Sequence, residues 1–417
     1  MSKIEKLKSA LKSKDGKVLA SNFAYLSLLQ IAGYVFPLIT IPYLARVIGV
    51  DGFGKIAFAS AVIVWIQTIA DWGFNFTATR DVARNRDNAA IVSKIFSNVL
   101  WARLLLMCFS LAVLLILIAL IPDFRENADV ILVTFLLVPG HILFPEWFFQ
   151  AMERMRYITI LNLLSKLVFT VAVFLFVKTK DDYILQPLLI SLGYILSGII
   201  ALYVILYKWG YKVRFTSVGE VFQTINKSKD VFLNSIFPNF YASLSTILLG
   251  VFCGSTANGI YEAGHKFFAI CNQLMITISR TFFPFLSRKI DKHKLYARMS
   301  ISLSIIMSVT LFVMAPLLIE WFFTSEFIEA VNVLRLLAIL IIILTIIDVY
   351  GKNYMIVCGY DRQLRNITII CSIIGFAISI PLIYYYSYIG KSLILLITNG
   401  LLAFSSMSYV KRLKCKR

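Results

Sequence analysis

Charged residues are scarce in this chain, which carries them at only 15% of its 417 positions. A soluble globular domain usually contains about 25% charged and about 45–50% apolar residues. In this sequence 59% of the positions are hydrophobic. The composition excludes a soluble enzyme and a disordered chain, because neither class contains so much apolar sequence.

Cysteine and histidine are also scarce, at six and three residues. None of the cysteines has CxxC or metal-type spacing, and most lie in apolar runs, so they are expected to be small buried hydrophobic side chains. A secreted disulfide scaffold is thereby excluded. The sequence also lacks HExxH, GxSxG, Walker A lysine and paired DxD motifs. We therefore expect no metal, no cofactor, no catalytic residue and no enzymatic activity.

Long apolar runs are abundant, and each can cross a bilayer as a helix of about 20 residues. The sequence predicts an all-α polytopic membrane protein with about twelve transmembrane helices. Their predicted bounds are 22–44, 54–75, 98–121, 130–151, 157–177, 184–207, 231–252, 259–282, 299–321, 330–351, 366–386 and 391–410.

The predicted spans divide into two groups of six around a polar segment near the middle of the chain. An N-terminal six-helix bundle is expected at 22–207 and a C-terminal six-helix bundle at 231–410. A basic cytoplasmic N-tail at 1–21, a cytoplasmic linker at 208–230 and a basic C-tail at 411–417 account for the remaining residues.

The positions of Lys and Arg indicate the orientation. If the N-terminus is cytoplasmic, 29 of the 41 basic residues lie in inner segments and six, including Lys391, in outer segments. Both termini are therefore predicted to be cytoplasmic. Basic residues spread over every inner loop favour anionic membrane lipids as partners. They argue against nucleic acid, which would require a basic patch on one folded surface.

Two glycine-bounded segments predict an internal repeat. Gly49–Gly54 and Gly254–Gly259 each have glycines five positions apart, and the offset between them is 205 residues. Both are expected to close an outer hairpin, the second across residues 253–258. Two parallel six-helix halves related by an axis along the membrane normal would explain the offset. The alternative is that tight outer turns simply favour glycine.

Ionisable residues within the spans are the candidates for function, because a charge at membrane depth is costly. In the first half these are Asp71, Glu146 and Lys166. Lys166 has no acidic residue one helical turn away, so we expect it to occupy a cavity or to pair with Asp71 or Glu146. Asp71 should begin a polar stripe that continues to Asn75, while Arg103 is expected to lie at the membrane interface.

In the second half, Glu262 and Lys266 have the i,i+4 spacing of a helical ion pair, and His265 lies beside them. A self-neutralised pair and a binding role are both open for this group. Arg280 lies near the inner end of its span, where it could contact substrate or serve as an interface anchor.

Several motifs resemble those of a known family. They are Tyr34–Arg46, Gly49–Gly54, Asp71–Asn75 with Ala78–Arg80, Trp147–Gln150 with Glu153–Met155, and Gly259–Tyr261 with Lys266. They are similar to the signature of bacterial polysaccharide flippases, the O-antigen transporters of the multidrug/oligosaccharidyl-lipid/polysaccharide exporter superfamily. The resemblance covers nearly the whole chain.

The resemblance implies two six-helix bundles around a V-shaped central cavity in the bacterial cytoplasmic (inner) membrane. It implies alternating access that moves an undecaprenyl-diphosphate-linked oligosaccharide from the inner to the outer leaflet, with a polysaccharide polymerase and glycosyltransferases as further partners. Cationic residues line the cavity of lipid II flippase relatives. The positions that could do so here are Lys166, Lys266, Arg280 and Arg80.

Coupling to H⁺ or Na⁺ would need further ionisable groups, which could also act as charge partners. The candidates for these roles are Asp71, Glu146, Glu262 and His265.

Two other functions remain open. A multidrug or small-cation exporter of the same fold would favour a more acidic set of in-span residues. A membrane-embedded polysaccharide polymerase would have a large outer loop, which this sequence does not predict.

Overall fold

A computed structural model of the chain describes residues 14–288 and 290–414. Residues 1–13 of the predicted N-tail and 415–417 of the predicted C-tail lie outside the described residues. Every regular element within the described residues is helical. The α-helices are α1 (Lys14–Asp71), α2 (Phe74–Arg84), α3 (Ala89–Leu120), α4 (Pro122–Glu126), α5 (Ala128–Phe135), α6 (Leu137–Leu143), α7 (Glu146–Ala151), α8 (Met155–Phe176), α9 (Leu185–Tyr203), α10 (Val218–Arg288), α11 (His293–Phe322), α12 (Ala330–Ile346) and α13 (Asp361–Lys414).

Short helical segments of other types connect or extend these helices. Three are 3₁₀ helices, at Lys180–Ile184, Ile290–Lys292 and Ser325–Phe327. Two are π-helical, at Val204–Lys208 and Ile347–Ile356.

Among the described residues, nine helical stretches are long and apolar enough to cross a membrane. Three of them contain a residue with positive φ, namely Gly49 in α1, Gly254 in α10 and Ser387 in α13. A positive φ cannot continue a right-handed helix, so the axis changes direction there. The prediction of an all-α, multi-span membrane fold is confirmed.

The chain forms two compact units, of which the first contains the residues up to Val47 and Ala59–Ser243. Its core is rich in aromatic residues. The ring centroids of Phe96 and Phe148 lie 5.1 Å apart, and Phe149 stacks on Tyr157 at 5.5 Å. Such pairs add about 0.5–1.5 kcal/mol to the stabilisation from burial alone. These contacts hold α3 and α8 around the short helix α7.

The second unit contains Ile48–Phe58 and the residues from Leu244 onwards. Phe53 makes edge-to-face contacts with Phe323 and Phe327, with ring centroids 6.1 and 5.9 Å apart. All three rings are at least nine-tenths buried. The segment Ile48–Phe58 of α1 is therefore packed into the core of this unit.

The first glycines of the two repeated segments, Gly49 and Gly254, have the same unusual backbone conformation. Gly49 has φ 67° and ψ −177°, and Gly254 has φ 81° and ψ 175°. This region of φ/ψ space is essentially restricted to glycine. Gly49 and Gly254 are therefore equivalent in backbone conformation as well as in their positions 205 residues apart.

The second glycine of each segment lies against the backbone of the other segment. A Cβ on Gly54 would overlap the carbonyl oxygen of Ser255, and a Cβ on Gly259 would overlap that of Val50. Val50 and Ser255 are themselves 205 positions apart, so the two contacts are equivalent under the repeat. Reciprocal contacts of this kind are typical of a two-fold arrangement.

Three predicted boundaries were wrong. The span predicted at 54–75 ends at Asp71, because Trp72 and Gly73 have φ of 43° and 76°. The span predicted at 130–151 consists of α5, α6 and α7; Pro145, which has no amide hydrogen, separates the last two. The outer turn predicted at 253–258 is helical on both sides of Gly254.

Candidate functional site

A buried ion pair lies at the first polar cluster of the first unit. Arg103 of α3 donates to the Asp71 carboxylate at 2.5 Å and to the Asn75 side-chain oxygen at 2.9 Å. The Arg103 side chain is only 3% exposed, so it is enclosed by protein, and its depth at the membrane interface stays a prediction. A buried guanidinium requires a carboxylate and further acceptors to offset its desolvation. Here Asp71 and Asn75 supply them.

The predicted polar stripe was only partly right. Asp71 ends α1 and Asn75 belongs to α2, so the two residues lie on different helices. The turn at Trp72 and Gly73 separates them. They converge because both side chains bind Arg103.

Glu146 begins α7, directly after the interruption at Pro145. Its Oε1 accepts a hydrogen bond of 2.7 Å from Nδ2 of Asn162 in α8, and that amide also donates to the Ile158 carbonyl at 3.0 Å. The interrupted helix thus directs an acidic side chain towards α8. Asn162, which binds this acid, lies one helical turn before Lys166.

Lys166 lies on α8 and is half-buried. Among the described residues it forms no hydrogen bond or ion pair, and Glu146 is the carboxylate that acts on it electrostatically. Asp71, its other predicted partner, is bound by Arg103 instead. Among the cations of this cluster that the structure describes, Lys166 is therefore the one whose ammonium group is available to bind another group.

The second unit contains a further charged cluster on α10. The Lys266 ammonium lies 3.5 Å from Oε2 of Glu262, and their side chains are 42% and 19% exposed. His265 stacks on Tyr261, with ring centroids 5.6 Å apart, and contacts Phe268 at 5.5 Å. The predicted i,i+4 pair is confirmed as an ion pair. Lys266 remains exposed enough to contact another group.

Lys391, which the sequence analysis counted in an outer segment, is buried within the second unit. It is 2% exposed, and its ammonium donates to Oγ1 of Thr246 at 2.7 Å. The same ammonium lies 3.5 Å from the centroid of the Tyr261 ring, a cation–π contact. Glu262 also acts on it electrostatically. Apolar periodicity gives no signal for this site, because Thr246, Tyr261 and Lys391 are distant in sequence.

The two remaining candidate cations differ in their surroundings. Arg80 of α2 is 56% exposed and pairs with its neighbour Asp81 at 3.0 Å. The Arg280 side chain lies outside the described residues. Its assignment as a cavity residue stays a prediction.

Each of the two clusters, taken by itself, is suited to binding an anion. In the first, Arg103 neutralises Asp71 and Asn162 binds Glu146, which leaves the Lys166 ammonium available. In the second cluster, the single carboxylate of Glu262 interacts with the ammonium groups of Lys266 and Lys391. Among the described residues, no group of three or more His, Cys, Asp or Glu could hold a metal ion.

Two solved structures with a similar fold are of membrane transport proteins. An inward-facing multidrug resistance MATE family transporter of the MOP superfamily matches with a TM-score of 0.67 and 12% identity, over 94% of this chain and 97% of that one. The lipid II flippase MurJ in an inward closed conformation matches with a TM-score of 0.62 and 15% identity, over 92% and 87%. The chain therefore has the fold of this class of multi-span transporter.

Sequence comparison identifies the family of the chain. Residues 19–290 match the model of the family described as "Polysaccharide biosynthesis protein". The match covers more than half of the chain, and the chain belongs to this family.

Two curated relatives align along almost their whole length. The "Putative O-antigen transporter" of Escherichia coli (strain K12) is 27% identical over 405 residues, which cover 95% of this chain and 97% of the relative. The protein of the same name from Shigella dysenteriae is 26% identical over 395 residues, which cover 94% and 99%.

Proposed function

We propose that this protein is a flippase for lipid-linked polysaccharide precursors. It moves undecaprenyl-diphosphate-linked O-antigen, or other polysaccharide repeat units, from the inner to the outer leaflet of the bacterial cytoplasmic membrane by alternating access. The family, the two O-antigen transporter relatives and the transporter fold support this proposal. The observation that carries it is the available Lys166 ammonium within an otherwise paired polar cluster.

The diphosphate explains why such a cation is needed. A phosphate group leaving the water phase requires positive charge or hydrogen-bond donors in the low-dielectric interior, where each contact is stronger than in water. We assign Lys166 and Lys266 to this role, with Arg80 and Arg280 as further cations on the path. The prenyl chain can remain in lipid throughout, so transport requires no soluble domain.

The proposal includes a topology of twelve spans with both termini cytoplasmic. The three stretches interrupted at Gly49, Gly254 and Ser387 support it, because each would supply two spans joined by a sharp turn. The distribution of Lys and Arg supports the same orientation. The two bundles would correspond to 22–207 and 231–410, with 208–230 as the cytoplasmic linker.

Coupling to an ion gradient would depend on the acidic and histidine residues of the clusters. We assign Glu146, Glu262 and His265 as its candidates, while Asp71 acts mainly as the charge partner of Arg103. If H⁺ or Na⁺ coupling is correct, collapsing both gradients should stop transport. Transport that continues after both gradients collapse would reject the coupling without affecting the flippase assignment.

A deletion strain tests the function directly. We expect loss of surface glycan and accumulation of lipid-linked repeat units in the inner leaflet, both reversed by the wild-type gene. Normal glycan display combined with increased sensitivity to cationic drugs would instead identify a multidrug exporter. Accumulation of translocated but unpolymerised units in the outer leaflet would identify a polymerase.

A further inference from the structure

A cavity at the start of α11 has no role in the transport path proposed above. It has a volume of about 280 Å³ and lies within the second unit. Its wall includes His293, Lys294, Arg298 and Ser302 of α11, together with Tyr350 of the π-helical segment Ile347–Ile356. π-Helical segments are rare and occur frequently at functional sites.

The buried side of the cavity is rigidly held. The ring of His293 is 2% exposed and hydrogen bonds through Nε2 to the Val349 carbonyl at 2.9 Å. Its ring also contacts that of Tyr350 edge-on, with centroids 5.8 Å apart. These contacts fix α11 against the π-helical segment on one side of the cavity.

The open side of the cavity carries two cations. Lys294 and Arg298 are both exposed, and within the described part of the chain neither forms an ion pair. The nearest acidic residue in sequence, Asp291, pairs with Lys292 at 3.6 Å. Two uncompensated cations with a neighbouring hydroxyl from Ser302 match the chemistry of a phosphate group.

Beyond the cavity, the surface of α11 next to Ser302 becomes apolar. Lys294, Arg298 and Ser302 recur every four residues, so they form one stripe about 12 Å long. The stripe continues with Ile306 and Val313, which are 62% and 68% exposed. A basic head-group site followed by an exposed apolar surface matches an amphiphile better than a free ion.

We propose that this cavity binds the phosphate head group of an anionic phospholipid of the inner leaflet, with an acyl chain along the apolar part of the α11 face. The location in the inner leaflet rests on the topology proposed above. Basic pockets between transmembrane helices on the cytoplasmic side bind phosphate-bearing lipid head groups in other membrane proteins. The site is separate from Lys166 and Lys266 and does not require them.

The test uses the purified full-length protein in detergent and native mass spectrometry with added phosphatidylglycerol. We expect one phosphatidylglycerol to bind with preference over phosphatidylcholine. The double variant Lys294→Gln/Arg298→Gln should bind it about 25-fold more weakly, since each basic residue near anionic lipid contributes roughly a factor of five. Exchanging the two cations, Lys294→Arg/Arg298→Lys, should preserve most of the affinity.

The control removes the same charge from another helix start. Arg362→Gln/Arg365→Gln changes two exposed cations in the first turn of α13 that do not line the cavity. It should change affinity by less than about twofold. Ser302→Phe, which retains both cations but narrows the cavity, should also weaken binding.

Several results would overturn the proposal. Equal losses in the two double variants would mean non-specific attraction between charges, and an unchanged affinity in Lys294→Gln/Arg298→Gln would place the lipid elsewhere. Displacement of the lipid by equimolar inorganic phosphate would indicate a free-anion site. A tenfold preference for undecaprenyl diphosphate would assign the cavity to the transported lipid instead of the bilayer.

Discussion

Arg103 and Asp71 show how a charge pair can be structural in a membrane helix. The pair is buried on the arginine side, and Asn75 supplies a second acceptor. Removing one member leaves the other uncompensated, which is far more costly than removing both. Charge within a span is therefore a sign of function only after its partners are known.

The structural role of the Arg103–Asp71 pair can be tested by measuring the stability of variants. We expect Arg103→Met to lower the free energy of unfolding by about 3–5 kcal/mol, because the Asp71 carboxylate loses its partner. Asp71→Asn combined with Arg103→Met should recover most of this loss. Thermal unfolding of the purified variants in detergent provides the measurement.

A surface pair provides the control for that experiment. Arg86 and Glu153 interact at 2.9 Å, and their side chains are 34% and 54% exposed. The arginine holds the pKa of Glu153 below its usual range. Arg86→Gln should nevertheless cost less than about 1 kcal/mol, because exposed ion pairs contribute little. An Arg103→Met protein as stable as Arg86→Gln would contradict the structural role.

Lys166 is expected to act in transport and not in folding. Lys166→Gln should reduce glycan translocation at least about tenfold, because a charge-assisted hydrogen bond contributes about 1.5–3 kcal/mol. Lys166→Arg should retain most of the activity. Surface glycan in a complemented deletion strain, normalised to the amount of inserted protein, gives the readout.

Lys178 is the matched control for this variant. It lies just beyond the end of α8, is exposed and donates to the carbonyl of Phe174 in that helix. Lys178→Gln removes the same charge outside the polar cluster, and transport should be unchanged. Equal activity of both variants would remove Lys166 from the substrate path.

At the scale of elements, helix interruptions determine where side chains point. Pro145 places Glu146 at the start of a new helix opposite Asn162. The residues Trp72 and Gly73 allow Asp71 and Asn75 to approach the same arginine from two helices. In both cases the polar contact depends on the break and not on helical periodicity.

The close approach of the two glycine segments is a second element-scale feature that can be tested. Gly54→Ala should destabilise the protein by about 1–3 kcal/mol, because the new Cβ overlaps the Ser255 carbonyl oxygen. Gly259→Ala should have a similar effect through Val50, as the repeat requires. The change in Tm of the detergent-solubilised variants measures both.

Gly33 provides the contrasting substitution. It also lies in α1, but a Cβ there would meet no atom within 4 Å. Gly33→Ala should therefore be neutral or stabilise the helix by up to about 1 kcal/mol. If Gly54→Ala behaved like Gly33→Ala, the tight packing of the two segments would be wrong.

At the scale of the whole molecule, the orientation of the chain is the property to test. Alkaline phosphatase, active only outside the cytoplasm, should be inactive when fused after Lys212 and active when fused after Lys178. The basis is the excess of Lys and Arg in the inner segments. The reverse pattern of activity would invert the proposed topology and the direction of transport.

The sequence by itself determined the class of protein. With 59% hydrophobic residues and repeated apolar runs, the chain is expected to cross a membrane as helices, because a helix makes its backbone hydrogen bonds within its own segment. Local spacing also predicted the Glu262–Lys266 pair and the glycine repeat. The ion pair depends on residues one helical turn apart, and the repeat depends on two similar segments whose glycines recur 205 positions later.

The tertiary structure decided the partners of the charges. Arg103 binds Asp71, and Lys391 lies buried against Thr246 and Tyr261, and neither partner was predicted from the sequence. Neither contact follows from helical periodicity, because each joins helices that are distant in sequence. Which buried charge is paired and which is available is set by the packing of helices, and that packing left Lys166 as the available cation in its cluster.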